Sequence, residues 1–149
     1  MQKAVILIPC LLLFLLLPTR TFADNSTNSN SSAVTPCTSM EKDQGSKVII
    51  NQLKALAVKD MKRAYSFASA NFRQVTTLER FKNIIDGNYS MLYKLTKYQV
   101  KDCVKAQGLF IYSLVIMNQN GLHYTTKYAL SNLNGKWGVE GAFVTLPGY

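Results

Sequence analysis

Asp102 is the one acidic side chain that strand alternation groups with apolar neighbours. Around it, Tyr98, Val100, Asp102, Val104 and Ala106 alternate onto one face, leaving Lys97, Gln99, Lys101, Cys103 and Lys105 on the other. A carboxylate between two valines loses hydration, which favours its protonated form and suits it to acid–base work or to ligand binding. The alternative is a bulge near the strand end that turns it to solvent beside Lys101. Alternation also gathers Tyr124 and Tyr128 on one strand face, and Trp137, Val139, Gly141 and Phe143 on the next. With Tyr65 from a helix, the set Tyr65, Tyr98, Tyr124, Tyr128 and Trp137 can line a pocket whose hydroxyls orient a ligand. The same residues also suit a plain core whose hydroxyls reach its rim.

Other chemistry finds less support. One histidine, His123, and the two well-separated cysteines beyond the N-terminal apolar run, Cys37 and Cys103, offer no metal-ligand cluster, so no metal or other cofactor is expected. No Ser-His-acid order suggests a nucleophile, and no glycine-rich loop suggests a phosphate cradle. Lys97, Lys101 and Lys105, alternating along one strand face, read either as an anion-binding ladder or as protection of an edge strand.

These residues need a sheet to position them. LFIYSLVIM (Leu109–Met117) is apolar at nearly every position, as a strand covered on both faces is. Asn120-Gly121 and Asn134-Gly135 supply two hairpin dipeptides, flanked by LHYTTKYAL and KWGVEGAFV. The expectation is an α+β domain: helices packed on a curved, four-stranded antiparallel meander between Lys97 and Val144.

Helices come first. Val48, Ile49, Gln52, Leu53, Leu56 and Ala57 fall on one stripe of a helix from Ser46 to Val58. Asp60 caps a second, shorter helix that buries Met61, Ala64, Tyr65 and Ala68. A third begins near Thr76 or Thr77, where Thr76-x-x-Glu79 has capping-box spacing, with Leu78, Phe81, Ile84 and Ile85 inward and Gly87 as its stop.

The N-terminus reads as a leader. Met1–Ala23 has a charged start at Lys3, an apolar run from Ala4 to Leu17 and a Thr-Phe-Ala exit, so cleavage after Ala23 and a secreted or periplasmic destination are expected. The Ser/Asn-rich stretch 24–45 is expected as a disordered tether, followed by the domain over 46–149. Asn25, Asn30 and Asn88 each begin a glycosylation tripeptide, which matters only in a glycosylating host. Of the cysteines left after cleavage, Cys37 and Cys103 either pair, tying the incoming segment to the sheet, or remain as free or intermolecular thiols. Without Lys3 and Arg20, fifteen basic residues face eight acidic ones, a charge of +7. Such a balance favours an anionic envelope surface as a partner, while export argues against nucleic acid.

VIINQLKALAVKDMKRAYSFAS (Val48–Ser69), LERFKNIIDGNYSMLYK (Leu78–Lys94) and NGKWGVEG (Asn134–Gly141), covering most of the domain, carry a resemblance. The chain resembles the α+β cone of the nuclear-transport-factor-2-like superfamily and, within it, the bacterial domain of unknown function 4864. The resemblance implies a pocket between the helices and the concave sheet face. In the enzymes of that superfamily, the ketosteroid isomerase-like and polyketide cyclase-like ones, it implies an Asp paired with a His, a Tyr or a second acid. Asp102 would be the acid here, but His123 falls on the opposite parity. The leading expectation is a non-enzymatic domain binding a small apolar or aromatic ligand, a protein partner or a second copy of itself. The alternatives are a pocket enzyme working through Asp102, isomerase- or cyclase-like, and an envelope-associated module held by its basic face.

Overall fold

The computed structural model describes residues 33–145. The expected leader over 1–23 and the first part of the tether, with Asn25 and Asn30, lie outside the described residues. In chain order the elements are β1 (Thr35–Pro36), α1 (Ser39–Ala57), α2 (Met61–Ser66), α3 (Ala70–Val75), α4 (Leu78–Asn88) and a 3-10 turn (Ser90–Lys94), then β2 (Leu95–Ala106), β3 (Leu109–Asn118), β4 (His123–Leu133) and β5 (Lys136–Thr145). The sheet is antiparallel in the order β1-β2-β3-β4-β5. Among the described residues it therefore has five strands, not four. The additional strand is an edge: Thr35 pairs with Lys105 and Pro36 with Val104, and the edge position tolerates the missing amide hydrogen of proline.

Ordered structure begins well before Ser46. Thr38 accepts from the Glu41 amide while the Glu41 carboxylate accepts from the Thr38 amide, a full capping box that starts α1 at Ser39. What was expected as the end of a tether is thus strand and helix. Beyond it α1 buries Ile49, Gln52, Leu53, Ala55 and Leu56, close to the expected stripe.

Asp60 caps α2 by accepting from the Arg63 amide, as expected. Between α2 and α4 lies an extra short helix, α3, capped by Ser69. Consequently Thr76 ends α3 and Thr77, not Thr76, caps α4 through the Arg80 amide. Gly87 lies inside α4, which runs on to Asn88.

The hairpins explain the meander. Asn134 and Gly135 both have positive φ (54° and 80°), giving the two-residue turn between β4 and β5. Gln107 (φ 52°) and Gly108 (φ 76°) do the same between β2 and β3, although no Asn announces that turn. At the third turn only Gly121 is left-handed, and the Asn118 carboxamide accepts the Asn120 and Leu122 amides to close a longer loop.

Beyond an irregularity at Thr96, where β2 begins, two bulges decide which way the side chains point. In β2, Val100 pairs with Leu114 but Asp102 with Ser113, so Lys101 is an extra residue. In β5, Val139 pairs with Leu130 but Gly141 with Ala129, so Glu140 is extra. Each bulge reverses the parity of everything after it. The helix-covered face therefore carries Tyr98 and Val100 and then Cys103 and Lys105; on β5 it carries Trp137 and Val139 and then Ala142 and Val144.

The core sits between the helices and this face. Ile49, Leu53 and Leu56 of α1 join Phe81 and Ile85 of α4, Tyr112, Leu114 and Ile116 of β3, and Tyr128 and Leu130 of β4. Cys37 and Cys103 form a disulfide with Cα atoms 5.4 Å apart, so the pairing alternative holds. It fixes the approach to α1 on the sheet, together with the Cys37 amide donating to the Cys103 carbonyl (3.1 Å).

Candidate functional site

A cavity of about 170 Å³ lies between the helices and the β4–β5 end of the sheet. Gln52 and Leu56 of α1, Phe72 of α3, Phe81, Ile84 and Ile85 of α4, and Tyr89 and Leu92 beyond it form the helical side. Tyr128 of β4 with Val139, Gly141, Ala142 and Val144 of β5 form the sheet side, and Ala68 from the α2–α3 link closes one end. Among the described residues no charged side chain lines this cavity.

The link is held against β5 by its backbone. The Val139 amide donates to the Phe67 carbonyl (2.9 Å) and the Ser69 amide to the Val139 carbonyl (2.8 Å), a short parallel bridge. Gly138 permits the approach: a Cβ there would lie 2.5 Å from Ser69 Cα. The Arg73 guanidinium ties the same link from outside by donating to the Ser66 and Ala68 carbonyls.

Two polar side chains reach the apolar walls. Gln52 is 4% exposed, and its amide nitrogen donates to the Ala64 carbonyl at 3.1 Å, which leaves its carbonyl oxygen as the remaining acceptor. Tyr128 is 1% exposed, and burial alone pushes its phenol above the ordinary range, so it is a neutral hydroxyl throughout the physiological range.

Of the tyrosines expected around a pocket, Tyr128 is the one that lines this cavity. Tyr65 packs its ring 5.6 Å from Phe81, behind the wall, and donates its hydroxyl to the Thr76 carbonyl (2.6 Å). The Tyr124 hydroxyl accepts from the Asn118 carboxamide (3.2 Å) at the far end of β4. Tyr98 is half-buried beside Lys97, Gln99 and His123 at the sheet margin. Trp137 is half-buried against Phe110 (4.5 Å between centroids) and donates its indole N–H to Gln44 of α1 (3.1 Å). These four support the fold around the cavity rather than its lining.

Asp102 lies elsewhere. The bulge at Lys101 turns it to the face that no helix covers, where it is exposed and accepts the Cys103 amide hydrogen (2.8 Å). The acid–base alternative thus loses its carboxylate. The same bulge breaks the lysine ladder: Lys105 comes round to the helix side and pairs with Glu41 at 3.2 Å, while Lys101 donates to Gln99. Phe143, expected with Trp137, is 64% exposed on the open face because of the second bulge. His123 is exposed on that face too.

Sequence reasoning placed Gln52 on the buried stripe of α1 but assigned it no role. A polar residue amid Ile49, Leu53 and Leu56 was the available signal for the cavity. Phe72, Tyr89 and Leu92 carried none, because their meeting depends on α3 and the 3-10 turn.

Comparison with curated proteins finds no match. The family model for a domain of unknown function, DUF4864, matches residues 38–147. That span starts at the Thr38 cap of α1 and takes in the helices, β2–β5 and every residue of the cavity, and the chain belongs to the DUF4864 family.

Proposed function

We propose that this chain is an exported, non-enzymatic binding domain that holds a small apolar or aromatic molecule in the cavity between its helices and its sheet. One observation carries the reading: an apolar cavity whose lining, among the described residues, contains no carboxylate, histidine or cysteine but includes two deeply buried polar side chains, Gln52 and Tyr128. Such lining suits retention of a ligand, since apolar walls supply affinity and a few polar groups fix orientation. It offers no acid–base pair, and Asp102 is on the opposite face of the sheet. Helices on one face of a bulged antiparallel sheet, with the cavity between, fit the nuclear-transport-factor-2-like cone. The Cys37–Cys103 disulfide and the leader-like Met1–Ala23 support a secreted or periplasmic destination, where disulfides persist.

Native mass spectrometry of protein recovered from its own compartment tests this reading. The expected result is a mature chain beginning at Asp24 and carrying a small-molecule adduct that dissociates on unfolding. A bare chain that also takes up no added aromatic compound would contradict it.

A further inference from the structure

The open face of the sheet carries a pattern of its own, independent of the cavity. On β3, Leu109, Ile111, Ser113, Val115 and Met117 point to this side, opposite the buried Tyr112, Leu114 and Ile116. All but Ser113 are apolar, which suits a strand covered on both faces, yet among the described residues no helix covers this one. Val104 of β2 and Ala129 of β4 flank Ile111 on its rung, and Phe143 of β5 stands exposed beside Lys127. Ile111, Lys127, Ala129 and Phe143 line one shallow groove. A contiguous apolar column on a wetted sheet face marks an interaction surface.

Charge decides the occupant. Asp102 pairs with Ser113 and Ser113 with Lys127, so the acid and the base share one rung, one strand to either side of β3. Both are exposed, and neither has an ion-pair partner among the described residues. A two-fold axis running along β3, between two facing sheets, exchanges the β2 and β4 columns and keeps each rung at its own level. It sets Asp102 over Lys127 of the second copy and Lys127 over its Asp102, two ion pairs from one operation. The same axis lays Ile111, Val115 and Met117 against their own copies and Gln99 over Thr125. At the rim Lys97 comes over His123, where solvent screens the contact. An anionic surface would use Lys127 but would meet Asp102 with like charge. We infer that two copies of this chain pack face to face, β3 on β3, in an isologous dimer keyed by the Asp102–Lys127 pairs.

Sedimentation velocity of the mature chain over about 1–300 µM tests this on wild type, Lys127→Asp, Asp102→Lys and the double exchange. Wild type is expected to show a monomer–dimer equilibrium within the series. Each single variant sets like charges in both pairs and should weaken the dimer at least about tenfold. The double exchange restores opposite charges and should return the affinity to near the wild-type value, a recovery that lost folding cannot mimic. A wild type that remains monomeric throughout overturns the inference. So does a dimer that both single variants leave unchanged, or a double exchange no tighter than the singles. A monomer that instead sediments with phosphatidylglycerol vesicles, the outcome if this face meets an anionic surface, overturns it as well.

Discussion

Tyr112 of β3 passes so close beneath Gly45 of α1 that a Cβ on the glycine would lie 2.1 Å from the phenol oxygen and 2.4 Å from the carbon bearing it. The ring is fully buried, and its hydroxyl donates to the Glu41 carbonyl at 2.5 Å, one turn earlier in the helix. Helix propensity alone would make Gly45→Ala favourable by about 1 kcal/mol. Here the ring has nowhere to retreat, so the substitution is expected to cost roughly 1–3 kcal/mol as overpacking does. Tyr112→Phe, which loses only the hydrogen bond, should cost about 1 kcal/mol. Urea unfolding of the two variants checks the order; a stabilised Gly45→Ala would show that α1 does not sit on Tyr112.

The disulfide closes a loop spanning 66 residues of sequence, from β1 through all the helices to β2. Loop-closure entropy alone gives such a bridge on the order of 4 kcal/mol. Replacing both Cys37 and Cys103 by alanine should therefore lower stability by roughly 2–4 kcal/mol, since β1 is only two residues long and holds little by itself. Unchanged urea midpoints with and without the bridge would contradict this.

Glu41 gives the fold an acid-side pH dependence. The Thr38 amide hydrogen donated to its carboxylate, with Lys105 beside it, holds Glu41 below its ordinary value of 4.5. A depressed carboxylate contributes stability that is present above the unfolded-state value and lost as pH falls through the folded one. Melting temperatures of wild type should thus fall below about pH 4.5 more steeply than those of Glu41→Gln, which is the less stable of the two at neutral pH. Parallel profiles would show that the capping carboxylate is not coupled to folding.

Much of this architecture was legible beforehand. The Asn134-Gly135 turn, the Asp60 cap and the α1 stripe each follow from local chemistry that tertiary contacts do not override, whereas β3, expected to be covered on both faces, is a strand whose Tyr112, Leu114 and Ile116 face alone is fully buried. The faces of β2 and β5 were legible only as far as Val100 and Val139. Past those points one extra residue, Lys101 or Glu140, inverts the alternation, and neither residue type announces a bulge. For Asp102 the structure bears out the bulge alternative, and the same kind of extra residue misplaced Lys105 and Phe143. The first turns of α1 were missed for another reason. Between Thr38 and Gly45 the residues are mostly polar, and what fixes them is a capping box, a disulfide and Tyr112 from far along the chain.

Gly138 holds one wall of the cavity by having no side chain. A Cβ there would meet the Ser69 backbone, so Gly138→Ala must push the α2–α3 link off β5 or strain β5 itself. A loss of roughly 1–3 kcal/mol is expected. Toluene affinity should fall with it, because Ala68, Phe72 and Val139 no longer close together. Calorimetry reads both quantities; wild-type stability and affinity in this variant would mean that the bridge between Ser69 and Val139 is dispensable.

The most direct test of the cavity is amide chemical-shift mapping of the mature protein as toluene is added, with Val144→Phe as the filled control. Val144 is half-buried on the lining near the end of β5, where a larger side chain can enter the cavity without rebuilding the core. Saturable shifts are predicted at Leu56, Phe81, Leu92 and Val139 in wild type, and none of them in the variant. Shifts confined to Ile111, Lys127 and Phe143 on the open sheet face, or no saturation anywhere, would contradict a ligand cavity beneath the helices.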